Sequence, residues 1–189
     1  MQPSQQSDIE LVVRIQGGDA AAFDEFMQRY KHPVLNFVHR MLGDAVEAED
    51  VAQEVFVHAY QRLGAFEIRS TEAKVSTWLF TLARNAVIDR LRWRQRHPAG
   101  SLESAPESSL STTTDAASEA SAHEIGRHIA DAVAALPEDQ RTALVLADYQ
   151  GLAYAEIAQV MKCSEKSIES RLYRAKQTLR KRLGFLLEE

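Results

Sequence analysis

His123-Glu124-Ile125-Gly126-Arg127-His128 holds the residue types of a zinc protease site: two imidazoles to ligate a metal and a carboxylate to take a proton from its water. The spacing does not serve that chemistry. Histidines five residues apart lie about 140° around a helix, whereas ligands four apart share a face. The carboxylates around Asp50 have the types of a metal-dependent nuclease, yet no second cluster or histidine partner accompanies them. There is no phosphate-binding glycine loop and no nucleophile elbow. Cys163 is the only cysteine, so it has no partner for a disulfide or a zinc site, and it suits the turn it occupies as a small apolar residue. No catalytic residue, metal site or cofactor is expected, and the chain reads as a non-enzyme.

The residue patterns that remain suit binding. Asp50, Gln53 and Glu54 stand at i, i+3 and i+4, which makes them one acidic, hydrogen-bonding patch on a helix. Arg84, Arg92 and Arg96 recur at multiples of four, a stripe able to track a phosphate backbone. Further on, Lys166, Ser170, Tyr173, Arg174 and Gln177 share one side of a helix whose other side carries Ile168, Leu172, Ala175, Leu179 and Leu183. One face packs and the other is free to meet base edges and phosphates, helped by the dipole of the helix N-terminus. A formal net charge of -5 argues against a protein that coats nucleic acid unaided, so DNA binding requires segregated charge. The sequence has that segregation. Acids dominate from Asp8 to Glu54, arginines crowd residues 84–96, and Lys162 to Arg182 forms a second basic region.

The elements that must position these residues are helical throughout, since no alternating run is long enough for a strand. Leu11, Val12 and Ile15 form a short stripe ending at Gly17-Gly18, and Asp19 is placed to cap the next helix. That helix carries Phe23, Phe26, Met27, Tyr30, Val34, Phe37, Val38 and Met41, with Pro33 inside it as a kink site, and stops at Gly43. Asp44 and Glu47 resemble a capping box opening a helix whose Ala48, Val51, Ala52, Val55 and Ala59 are buried. After a polar loop, Ser76 or Thr77 is expected to cap a helix from Trp78 towards Arg96 that Pro98 ends. Residues 98–122, rich in Ser, Thr, Ala, Glu and Pro, read as a flexible linker. Helices from His123 to Leu136, Glu138 to Tyr149, Tyr154 to Met161 and Glu165 to Leu183 follow, the last two with helix-turn-helix proportions. The expected fold is all-α: two small helical domains, 1–97 and 123–189, joined by the linker. No basic cluster precedes an apolar run near Met1, and no stretch approaches the ~20 apolar residues of a membrane span, so a cytoplasmic location without membrane insertion is expected.

Five segments together are similar to one family. Ala48-Glu49-Asp50-Val51-Ala52-Gln53-Glu54-Val55-Phe56 resembles sigma region 2.2, and Trp78-Leu79-x-x-x-Ala83-Arg84-Asn85-x-x-x-Asp89-x-x-Arg92 resembles regions 2.3 to 2.4. Leu136-Pro137-x-x-x-Arg141, Tyr154-x-Glu156-Ile157-Ala158 and Ser167-Ile168-Glu169-Ser170-Arg171-Leu172-Tyr173-Arg174-Ala175 resemble region 4. Their order, the short chain and the absence of an intervening domain point to the extracytoplasmic-function subgroup of bacterial sigma-70 family sigma factors. These are non-catalytic subunits that bring RNA polymerase to promoters.

The resemblance implies the partners: core RNA polymerase through its β′ clamp helices and β flap, promoter DNA, and an anti-sigma factor whose release follows a stress or envelope signal. It implies that Asp50, Gln53 and Glu54 dock on polymerase. It assigns Ser70, Thr71, Lys74, Arg84, Asn85, Arg92 and Arg96 to the -10 element, where extracting a base costs a few kcal/mol that protein contacts must offset. It assigns Lys166, Ser167, Glu169, Ser170, Arg171, Tyr173 and Arg174 to the -35 element. Trp78 reads as a core anchor, and Trp93, among arginines, as either core or contact. Two positions depart from the family pattern. Glu169 stands where a basic residue is common, and a carboxylate accepts from cytosine N4 but is repelled by phosphate. Ala153 replaces a capping Ser or Thr at a cost of ~0.5–2 kcal/mol. A linker of about 25 residues has an r.m.s. span of ~25–30 Å against ~50 Å between promoter elements, so it reaches only when extended, which suits a chain stretched along polymerase. The alternative is a stand-alone helix-turn-helix regulator with an N-terminal sensing or dimerisation domain.

Overall fold

Asp19 closes one helix and opens the next. Its carboxylate accepts from Arg14 Nε at 2.9 Å and from the Ala22 amide at 3.3 Å, so α1 (Gln5–Gln16) turns at Gly17-Gly18 straight into α2 (Ala20–Leu42). The computed structural model describes residues 5–66, 74–97 and 116–187. Helix α2 runs through Pro33 and ends at Gly43, whose φ of 75° is the left-handed cap that lets its amide reach His39 O at 2.8 Å. Asp44 then caps α3 (Ala45–Leu63) by accepting from the Glu47 amide at 2.9 Å. Gln16 holds the end of α3, donating to Leu63 O and Phe66 O at 3.1 and 2.8 Å. Helix α4 (Val75–Arg96) starts three residues before the expected Trp78, and no side chain caps it. Ser76 and Thr77 lie inside its first turn, Thr77 buried.

Helices α2, α3 and α4 pack around Phe26, Phe37, Val38, Val51, Val55, Leu79 and Val87, with α1 across them. Of the expected α2 stripe, Phe26, Tyr30, Val34, Phe37, Val38 and Met41 are buried, whereas Phe23 and Met27 are only partly covered. Trp78 is half-buried with its ring edge-on to Phe66, as a core anchor. A carboxylate sits within this packing. Asp8 is buried, accepting 2.6 Å bonds from both Arg29 and the Tyr30 hydroxyl.

Helix α5 (Ala116–Ala134) begins seven residues earlier than the His123 expected from the sequence. Residues 116–122 hold four alanines, the strongest helix former, and their lack of an apolar stripe made them look like linker. The rest of the expected linker, 98–115, lies outside the described residues. Pro137 opens α6 (Glu138–Leu144), which loosens into a π turn over Val145–Tyr149. Helix α7 (Tyr154–Met161) ends at Lys162 in a left-handed conformation, and Ser164 caps α8 (Glu165–Leu183) through the Ser167 amide. Ala153 offers no side-chain cap, but Glu156 accepts from the Ala153 amide at 2.7 Å and supplies half of a capping box. Among the described residues there is no strand, and no helix long and apolar enough to cross a membrane.

The two halves touch. Helix α7 packs on α4, and the C-terminal end of α2 packs on α5, α6 and the π turn, so that one apolar core runs through both halves. The sequence pointed to a chain drawn out along a partner; the protein by itself is folded back on itself.

Candidate nucleic-acid and polymerase interface

Three surfaces carry the binding residues. The first is built on α3. Ala48, Val51, Val55 and Ala59 are buried, which turns Asp50, Gln53 and Glu54 outward, all three exposed. They differ in surroundings. Glu54 meets Arg90 of α4 at 3.1 Å. Gln53 instead lines an apolar groove of about 540 Å³ between α2 and α3. Phe23, Met27 and Leu35 of α2 and Phe56, Val57 and Tyr60 of α3 form its walls. Tyr60 is 63% exposed and meets Phe23 edge-on. The sequence reading missed this groove because its aromatic residues sit at core spacing; the available signal was Val57 and Tyr60 falling on the polar side of α3.

Glu47 braces α3 against α4. It pairs with Arg94 and, at 3.4 Å, with Arg90. Arg94 also donates to Leu42 O at 3.0 Å, placing a cation at the C-terminal end of α2 where the helix dipole favours it. These contacts fix which side of α4 is left open.

That open side is the second surface, and it holds only part of the expected stripe. At about 100° per residue, the eight-residue step from Arg84 to Arg92 turns about 80°. Asn85, Arg92 and Arg96 are exposed together, whereas Arg84 is half-buried with its Nε buried and without a hydrogen-bond partner. Trp93 joins the exposed group, 47% exposed and stacked on His97 with ring centroids 4.8 Å apart. Lys74 is engaged by Glu156 of α7 at 2.8 Å. Ser70 and Thr71 lie outside the described residues.

The third surface is α8. Ile168, Leu172 and Ala175 are buried as the stripe predicted, with Leu179 and Leu183 partly covered. Lys166, Glu169, Ser170, Tyr173 and Arg174 project outward, and Ser167 is partly covered at the cap. Gln177 donates to the Tyr173 hydroxyl at 2.9 Å and orients that ring. Arg171 departs from the expectation. It turns back into its own domain, pairing with Asp139 at 3.0 Å and pointing at Cys163 Sγ at 3.4 Å.

Among the described residues no group of three or more His, Cys, Asp or Glu side chains is placed to hold a metal. His128 pairs with Glu124 at 3.9 Å and meets Phe185 edge-on, contacts of a surface helix.

Comparison with known proteins identifies the architecture. Residues 26–97 match sigma-70 region 2, and residues 127–179 match sigma-70 region 4. The RNA polymerase sigma-H factor of Pseudomonas aeruginosa is 36% identical over 193 residues, covering 98% of either chain. The ECF RNA polymerase sigma-E factor of Escherichia coli is 32% identical over 182 residues, covering 93% of either chain. Among solved structures, CnrH in complex with the cytosolic domain of CnrY superimposes with a TM-score of 0.67 at 25% identity, covering 96% of this chain and 97% of the other. The chain belongs to the extracytoplasmic-function sigma factors of the sigma-70 family. The stand-alone regulator is therefore not favoured.

Proposed function

We propose that this sigma factor binds core RNA polymerase through the outward face of α3 and the groove beside it, and reads promoters with the exposed faces of α4 and α8. It is not an enzyme in this reading, and it works in the cytoplasm beside the polymerase. The observation that carries the proposal is the division of labour among the three surfaces. The α3 face offers Asp50 and Gln53 beside an exposed apolar groove, the composition of a protein interface. The α4 and α8 faces instead offer Arg92, Arg96, Lys166 and Arg174 to solvent, the composition of a phosphate-tracking surface. Domains at 1–97 and 123–189 follow from this division, with the boundary of the second drawn back to the start of α5. An anti-sigma partner, released by a stress or envelope signal, is supported by the likeness to CnrH, itself solved in complex with another protein's cytosolic domain.

Reconstitution tests the reading. The purified chain with core polymerase is expected to start transcription from a promoter selected out of a random DNA pool. Asp50→Arg combined with Gln53→Ala is expected to abolish this while thermal unfolding stays unchanged. Sequence-specific DNA binding with no association to core polymerase overturns it.

A further inference from the structure

We infer that Glu169 sets the base preference of the α8 surface, its carboxylate accepting a hydrogen bond from N4 of a cytosine in the major groove of the -35 element. This rests on the sigma factor reading above and names the base that the recognition helix selects. The start of α8 decides what the helix reads, because a recognition helix presents its N-terminal residues to base edges. Most polar groups there are already engaged. The Ser170 hydroxyl donates to Lys166 O at 2.9 Å, back into its own helix. Ser167 is partly covered beside the Ser164 cap. Arg171 is turned away to Asp139 and Cys163. The Tyr173 hydroxyl accepts from Gln177 at 2.9 Å. Glu169 differs. It is exposed, and among the described residues its carboxylate has neither an ion pair nor a hydrogen bond, although Lys166 stands one turn before it. Burial of Ile168, Leu172 and Ala175 fixes the rotation of α8 and with it the side on which Glu169 projects.

A carboxylate on a face that meets DNA is repelled by phosphate, so it is tolerated there only where a donor meets it. It accepts hydrogen bonds and does not donate them. The major groove presents donors at cytosine N4 and adenine N6 alone. Adenine N6 lies beside N7, an acceptor whose lone pair opposes the carboxylate, whereas cytosine has no acceptor on its groove edge. Guanine O6 and N7 and thymine O4 are acceptors too. Cytosine is therefore the base that Glu169 meets without an opposing lone pair. Discrimination comes from the penalty as much as from the bond: opposite thymine the carboxylate faces O4 and finds no donor. The neighbouring cations keep their own role. Lys166, one turn earlier, and Arg174, about 140° further round the helix, are exposed for phosphate, and their charges offset the repulsion that Glu169 meets.

Selection from a random DNA pool by reconstituted holoenzyme tests this. Wild type is expected to fix a cytosine at one -35 position, and Glu169→Ala to leave that position free while selecting the same -10 element. On the wild-type promoter, exchanging that C·G pair for T·A is expected to lower initiation by wild type at least about fivefold, and by Glu169→Ala less than about twofold. Glu169→Gln, whose amide both accepts and donates, is expected to move the choice to adenine through N6 and N7. Because Glu169 is exposed, both variants are expected to melt as wild type does. An identical -35 choice by wild type and Glu169→Ala overturns the inference, even where the variant binds all DNA more tightly, since Glu169 is then a repulsive surface charge only. Loss of a fixed adenine in place of a cytosine overturns it as well. Both results leave the sigma factor reading standing, because promoters were selected. A wild-type chain that selects no promoter and does not associate with core polymerase sinks the sigma factor reading and the inference with it.

Discussion

Tyr30 shows how a single buried hydroxyl ties the N-terminus to the bundle. Burial first, and the hydrogen bond to Asp8 second, push its phenol well above the ordinary value of 10. A group whose folded value is raised adds stability that is complete below its unfolded value and lost as pH rises beyond it. Wild type is therefore expected to lose melting temperature progressively above about pH 10, a loss that Tyr30→Phe lacks. The variant is expected to be less stable at pH 7 by about 1–3 kcal/mol, because Asp8 loses a donor inside the core. Denaturant melts at both pH values check this. Two arginines three residues apart on α8 separate structure from reading. Arg171 is three-quarters covered and paired with Asp139, so Arg171→Ala is expected to cost about 1 kcal/mol of stability in a denaturant melt. Arg174 is exposed, so Arg174→Ala is expected to leave the melt unchanged and to weaken promoter use at moderate salt. Sequence periodicity placed Arg174 on the free face, and the family resemblance assigned Arg171 to the same DNA contact. Neither could show that Arg171 is long enough to fold back over Cys163.

At the scale of the helix, what the sequence made legible is what periodicity encodes. The buried faces of α3 and α8 emerged residue by residue, as did the caps at Asp19 and Asp44, because each is a local pattern with a local cause. Contacts between elements were less legible. The Arg84, Arg92, Arg96 stripe drifts around α4, and only the packing against α3 decides that its Arg92 end is open. The groove beside α3 was hidden for a related reason: Phe23 and Met27 are spaced as core, and their partial exposure depends on how far α2 and α3 stand apart. That groove makes its own prediction. Val57 and Tyr60 are exposed, so Val57→Glu with Tyr60→Glu is expected to fold as wild type by circular dichroism. The same pair is expected to weaken core polymerase binding at least about tenfold in a competition assay, as removal of a desolvated anchor does.

For the whole molecule, the charge layout and the fold-back act together. With a net charge of -5, the free chain lacks the excess cation that non-specific DNA binding needs, so its basic residues work only as localised patches. The patches lie on different halves, Arg92 and Arg96 on α4 and Lys166 and Arg174 on α8. With the halves apart on a promoter, as the proposed function requires, their phosphate contacts are expected to contribute independently to the salt dependence of binding. Each contact adds about -0.9 to the slope of log affinity against log salt. Replacing Arg92 and Arg96 by Ala is expected to make the slope of holoenzyme binding shallower by about 1.8, and replacing Lys166 and Arg174 by the same amount. The fourfold variant is expected to show the sum, about 3.6, when binding is titrated between 50 and 200 mM salt. A fourfold variant no shallower than either double variant means that only one half touches DNA at a time, as it would if the halves stayed packed together on the promoter.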